Sequence, residues 1–155
     1  MIAGTETTAT ALSGTTYHLL KNPSTLAKLV AEIREAFADF EDITLEALAR
    51  LPYLHAVLQE GLRMYPPVPA ELPRRTPKQG AVICDEWVPG DTVIGVNHLA
   101  TYRMPTLWRD AYEFHPERWL GDERYKDDCL DALEPFSVGP RNCLGKVSFR
   151  LQFSN

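Results

Sequence analysis

A chain of 155 residues, 45% of them hydrophobic and 24% charged, is sized and composed for one globular domain with a real core. Its net charge of −5 argues against nucleic acid as a partner. Cys84, Cys129 and Cys143 form neither a CxxC pair nor an even disulfide framework, which points to a reducing, intracellular compartment, and His18, His55, His98 and His115 lack zinc-ligand spacing. No apolar run reaches the roughly 18 residues that would cross a bilayer, and no basic stretch followed by an apolar one reads as a signal peptide.

Residues 1 to about 20 carry Thr5, Thr7, Thr8, Thr10, Thr15 and Thr16, all poor helix formers, and alone they read as a frayed N-terminus. Asn22-Pro23 predicts a helix start, with Asn22 as N-cap and Pro23 in the first turn. Leu26, Leu29, Val30, Ile33, Phe37 and Phe40 follow at spacings of three and four and mark an apolar face. Thr44 caps a short helix to about Arg50. A longer helix with Leu51, Leu54, Leu58 and Leu62 on one face ends before Pro66-Pro67. Within it, Glu60 and Arg63 stand three residues apart and meet on one face, a pairing most often found at a surface.

From Pro66 the chain is rich in proline and aromatic residues. Ala81–Cys84 and Thr92–Val96 read as short strands separated by the Pro89-Gly90-Asp91 turn. Asp122, Glu123, Asp127, Asp128 and Asp131 read as a solvated face, with partner docking as the alternative. Cys84 and Cys129 read as small buried apolar residues. Cys143 stands in a different setting, Phe136-Ser137-Val138-Gly139-Pro140-Arg141-Asn142-Cys143-Leu144-Gly145. The glycines allow a tight turn and close approach to a flat partner. Backbone amides can stabilise a thiolate, and Arg141 adds positive charge for it or for an acidic group on a cofactor. A single sulfur donor in such a loop suits thiolate-ligated haem.

The pattern Phe-x-x-Gly-x-Arg-x-Cys-x-Gly resembles the haem-binding loop of the cytochromes P-450. Ala3-Gly4-Thr5-Glu6-Thr7-Thr8, Glu60-Gly61-Leu62-Arg63 and Pro116-Glu117-Arg118-Trp119 match further motifs of that family in its order. Tyr112–Arg118 and Pro135–Lys146 look most like its filamentous-fungal branch, which serves secondary metabolism. The resemblance implies haem b with the Cys143 thiolate as axial ligand to iron. Gly4, Phe136, Gly139, Arg141 and Gly145 would then shape the cofactor site. Arg74, or its neighbour Arg75, would meet a haem propionate. Glu6 and Thr7 would relay protons on the oxygen side, where Gly4 leaves room for dioxygen. Glu60, Arg63 and Arg118 would form a buried structural network, and Val68–Leu72 would line an apolar substrate pocket. Tyr102 stands where many relatives carry histidine, which would loosen a local contact.

The implied fold is mainly α with small β (α+β), an incomplete C-terminal portion of the cytochrome P-450 fold. It covers residues 1–146, with residues 1 to about 20 helical. The tail 147–155 matches nothing in the family; Val147-Ser148 can be encoded by a splice-donor sequence, so an intron-derived ending is expected. The implied function is a monooxygenase inserting one oxygen atom from O2 into an apolar small molecule. A flavin-containing NADPH reductase would supply electrons, and the full-length parent would be anchored in the endoplasmic reticulum membrane. Two alternatives are a truncated gene product unable to hold haem, with apolar faces left bare, and a small soluble module that binds a partner through the acidic stretch near Asp127.

Overall fold

The computed structural model describes residues 2–146; the 147–155 tail lies outside the described residues. Helix α1 spans Ile2–Lys21 despite its threonines. Packing overrides propensity here. Ala11, Gly14 and Thr15 are buried on one face, where α1 crosses helix α4 (Pro52–Met64). A β-carbon on Gly61 would collide with the Thr15 hydroxyl, and one on Gly14 with the Tyr65 ring, so small residues set how closely the two helices approach.

Helix α2 (Pro23–Ala36) follows after a single residue, with Pro23 in its first turn as the sequence predicts. Asn22 differs from expectation in its side chain. Asn22 Nδ2 donates to His18 O at 2.8 Å, so the side chain closes the end of α1 rather than the start of α2. The start of α4 is capped from elsewhere. Glu32 on α2 accepts Tyr53 N–H and Leu54 N–H, both at 2.8 Å, which places a carboxylate on orphan amides at a helix N-terminus. Helix α3 (Leu45–Leu48) is a single turn, and Thr44 Oγ1 accepts Ala47 N–H as predicted. The apolar face of α2 is shorter than the periodicity suggests: the helix stops at Ala36 and Phe40, in a 3-10 turn, is 83% exposed.

Leu29, Val57, Met64 and Phe114 form one core cluster, flanked by Leu19, Ile33, Tyr53 and Leu54. Tyr102, Trp108, Ala111 and Leu133 form a second. The outer face of α1 remains bare: Leu12, Tyr17 and Leu20 are exposed.

The strands pair differently from the predicted hairpin. β1 (Arg74–Arg75) runs antiparallel to β4 (Val93–Ile94), and β2 (Ala81–Ile83) to β3 (Glu86–Val88). The β2–β3 turn is Cys84-Asp85, both at positive φ, the conformation of a two-residue hairpin turn. Cysteine is an unusual occupant of that region, so the turn carried no sequence signal. Cys84 and Cys129 are both exposed, contrary to the expectation that they are buried. Thr76 ties the two hairpins. It is buried, its N–H donates to Thr92 O, its hydroxyl donates to Pro89 O at 2.7 Å, and Thr92 N–H donates back to that hydroxyl. After the short helix α5 (His98–Tyr102), the chain to Lys146 is irregular apart from 3-10 turns. The result is mainly helical with small sheets, as the sequence implies.

The Gly61–Thr15 crossing makes a direct prediction. Gly61→Ala must push α1 off α4 and lower stability by about 1–3 kcal/mol. Adding Thr15→Ala should recover part of that loss in urea unfolding. An unchanged midpoint in the single variant would show that the crossing has slack.

Candidate functional site

The most buried face of α4 is the one that carries charge. Glu60 and Arg63 have no exposed side-chain surface, and neither has Arg118, from the 3-10 turn Pro116–Leu120. Arg63 Nη2 and Nε donate to the two Glu60 oxygens at 2.7 and 2.9 Å. Arg118 Nε donates to Glu60 Oε1 at 3.2 Å. His115 N–H and Trp119 Nε1 complete the shell of the same carboxylate at 2.9 and 3.0 Å. The surface reading of the Glu60–Arg63 pair is therefore displaced by the buried one.

Arg63 and Arg118 also donate to backbone carbonyls. Arg63 donates to Tyr102 O, Ala111 O and Glu113 O between 2.7 and 2.8 Å, and Arg118 Nη2 donates to Arg109 O at 3.1 Å. The Trp108 ring lies against both guanidinium groups, and Tyr125 lies 4.6 Å under that of Arg118. Burial pushes the Tyr125 phenol up from its ordinary value.

One partner escaped the sequence reading. Arg118 Nη1 is paired with Asp128, whose side chain is 2% exposed. Asp128 therefore leaves the solvated face to which the acidic run assigned it. Charge arithmetic could have found it: two buried guanidinium groups against one carboxylate leave one uncompensated positive charge, which a protein interior does not tolerate cheaply. Asp122, by contrast, is half-buried at the edge, and hydrogen bonds from Arg124 lower its carboxyl to about 2.

The cysteine loop lies beyond this cluster. Ser137 and Gly139 adopt left-handed φ of 59° and 75°. Such a residue other than glycine costs about 1–2 kcal/mol; here Ser137 N–H is bonded to Glu134 O at 3.0 Å. Gly139–Arg141 form a 3-10 turn, and Cys143 N–H donates to Phe136 O at 2.8 Å, closing the loop. Cys143 is exposed. A side chain on Gly145 would begin 3.6 Å from Cys143 Sγ, so glycine keeps one side of the sulfur clear.

This loop and α1 face one another across a cavity of about 230 Å³. Thr7, Thr8 and Ala11 line it from α1, Leu62, Val68 and Leu72 from α4 and the segment after it, and Phe136, Arg141 and Cys143 from the loop. The sequence had singled out Thr7, Phe136, Arg141, Cys143 and the Val68–Leu72 segment separately; the fold gathers them. Gly4 and Glu6 are exposed on α1 outside this lining. Gly4 has open space where a side chain would begin, so packing among the described residues does not explain its glycine. Arg74 sits beside the cavity wall, its Nη1 bonded to Leu72 O and Pro73 O at 3.2 and 3.1 Å, while Arg75 Nη1 bonds Asp91 O. Among the described residues no group of three or more His, Cys, Asp or Glu could hold a metal ion.

The cytochrome P-450 profile matches residues 1–147. The chain belongs to the cytochrome P-450 family. It is 55% identical over 147 residues to cytochrome P-450 monooxygenase efuB of Hormonema carpetanum, covering 94% of this chain and 29% of that protein. It is 51% identical over 146 residues to cytochrome P-450 monooxygenase aclL of Aspergillus oryzae, covering 94% of this chain and 30% of that protein. The lnbC monooxygenase of Aspergillus flavus is 52% identical over 143 residues, 92% of this chain and 28% of its own length. The chain thus spans about three tenths of the length of these three fungal relatives.

Within this P-450 chain, Tyr102 corrects a further expectation. It loosens nothing: it is 1% exposed, stacks on His98, and its hydroxyl accepts Glu134 N–H at 3.1 Å.

The Asp128 pairing predicts a sharp contrast between adjacent residues. Asp128→Ala should cost about 3–5 kcal/mol in urea unfolding, because Arg118 keeps a buried charge with half its compensation. Asp127→Ala should stay within about 0.5 kcal/mol. Equal effects would return Asp128 to the solvated face.

Proposed function

We propose that this chain supplies the cysteine-ligand loop and the oxygen-side helix of a haem-thiolate monooxygenase that inserts one oxygen atom from O2 into an apolar organic substrate. The observation that carries this reading is the mainly apolar cavity that Thr7 lines from α1 and that Phe136, Arg141 and Cys143 line from the loop. Its donor set fits haem b: one exposed sulfur, glycine at Gly145 next to it, and an arginine in the lining for an acidic cofactor edge. When bound, haem with a thiolate donor supplies O–O cleavage.

The chain's own residues do the rest. Cys143 would hold the iron through its sulfur, as a thiolate. Arg141 would neutralise an acidic group of the cofactor, and Arg74 would offer a guanidinium to a propionate. Phe136 covers one edge of the site and keeps water away. On α1, Thr7 Oγ1 passes a proton toward the cavity, with the exposed Glu6 carboxylate drawing protons from solvent. Val68 and Leu72 give the substrate wall its apolar character. Glu60, Arg63 and Arg118 act structurally, holding the irregular segment that leads to the loop. In this reading electrons come from a flavin-containing NADPH reductase, at the endoplasmic reticulum membrane. No helix among the described residues is long and apolar enough to cross a membrane.

The test is the visible spectrum of the chain reconstituted with haem, reduced and exposed to carbon monoxide. We expect a strongly red-shifted Soret band that disappears in Cys143→Ala. A carbonyl spectrum without thiolate character in the unmodified chain would refute the assignment of Cys143.

A further inference from the structure

Helix α5 is bonded at one end to the Val68 wall of the cavity and at the other to Glu134, the residue before the lining residue Pro135. At its start, Leu99 N–H donates to Pro69 O at 3.0 Å, and His98 Nδ1 lies 3.1 Å from Val68 O. A carbonyl only accepts, so Nδ1 carries the proton in this pair. Val68 is itself part of the cavity lining. At its end, the Tyr102 hydroxyl accepts Glu134 N–H.

Glu134 is where the cysteine loop begins. Its carbonyl accepts Ser137 N–H at 3.0 Å, and Ser137 makes the left-handed turn that brings Phe136 O onto Cys143 N–H. Those bonds are local to the loop, whereas the bond from Tyr102 arrives from 32 residues away. The His98 and Tyr102 rings stack at 5.3 Å and 14°, joining the two contacts into one rigid piece. Tyr102 O also accepts from Arg63 at 2.8 Å, which ties α5 to the buried charge cluster. Burial pushes the Tyr102 phenol up to about 12, opposed by the Glu134 amide, so the hydroxyl remains protonated across the ordinary working range.

We propose that Tyr102 is a positioning residue for the Cys143 loop, and that α5 fixes the spacing between that loop and the Val68 wall. The proposal rests on the reading of Cys143 as the haem ligand, and its test separates the two. Amide hydrogen exchange is measured at Glu134 and Cys143 in the chain as it stands, and the ferrous–carbonyl spectrum is recorded after haem is added. In the unmodified chain both amides should be protected. In Tyr102→Phe, which keeps the ring and removes the hydroxyl, both should exchange about tenfold faster, the effect of losing one net hydrogen bond. The thiolate Soret band of that variant should lose intensity to a band without thiolate character, at unchanged helix content by circular dichroism. Tyr112→Phe, at an exposed tyrosine, should change neither readout. An unprotected Glu134 amide in the unmodified chain, or Tyr102→Phe exchange and spectra equal to the unmodified chain, would overturn the positioning role. An unmodified chain that binds haem without a thiolate band would overturn the ligand reading instead, while the exchange rates still decide whether Tyr102 holds the loop.

Discussion

The Glu60 carboxylate is the point on which the rest of this structure hangs. Its two oxygens receive Arg63, Arg118, the His115 amide and the Trp119 indole, and no part of its side chain meets solvent. An ionised carboxylate taken out of water costs several kcal/mol before its partners act. Here the partners are themselves neutralised as a group, since Glu60 and Asp128 balance Arg63 and Arg118. The cluster is neutral as a whole and expensive to break at any single member.

The same cluster explains how an irregular chain can form a wall. Between α5 and the cysteine loop there is little regular secondary structure, so many carbonyls lack a ladder partner. The arginines supply donors to Tyr102, Ala111, Glu113 and Arg109, and the rings of Trp108 and Tyr125 fill the spaces between them. Guanidinium suits this work because its planar fork presents five donors at fixed angles. Lysine at Arg63 or Arg118 would keep the charge and lose the geometry. Function inherits this order, because the loop bearing Cys143 leaves from the same segment.

Legibility in the sequence followed the range of the interaction. Helices α2 and α4 could be read because their apolar residues recur at helical spacing, with Pro23 marking the start of one and Pro66-Pro67 the end of the other. Helix α1 could not be read from propensity, since its threonines argue against it; only contact with α4 makes it helical, and the motif resemblance anticipated that. The sites of Cys143, Phe136 and Arg141 were legible because glycine and arginine flank them at fixed offsets. The partners that act over long separations were silent. Asp128 looks like its neighbours in an acidic run, Glu32 like any helix-surface glutamate, and Tyr102 like a departure from its relatives. The β2–β3 pairing was missed because Cys84 is no turn former and Asp85 alone, without a glycine, is a weak turn signal.

The central claim is that the buried cluster around Glu60 holds the cysteine loop in place at a distance. Amide hydrogen exchange at Cys143, compared between the chain and Glu60→Gln, tests it most directly. Glutamine preserves size and can still accept hydrogen bonds but leaves two buried guanidinium groups with Asp128 as their one carboxylate. The account predicts that exchange quickens at Arg118 and Trp119 and, with them, at Cys143. Faster exchange at Arg118 and Trp119 with unchanged protection at Cys143 would contradict it.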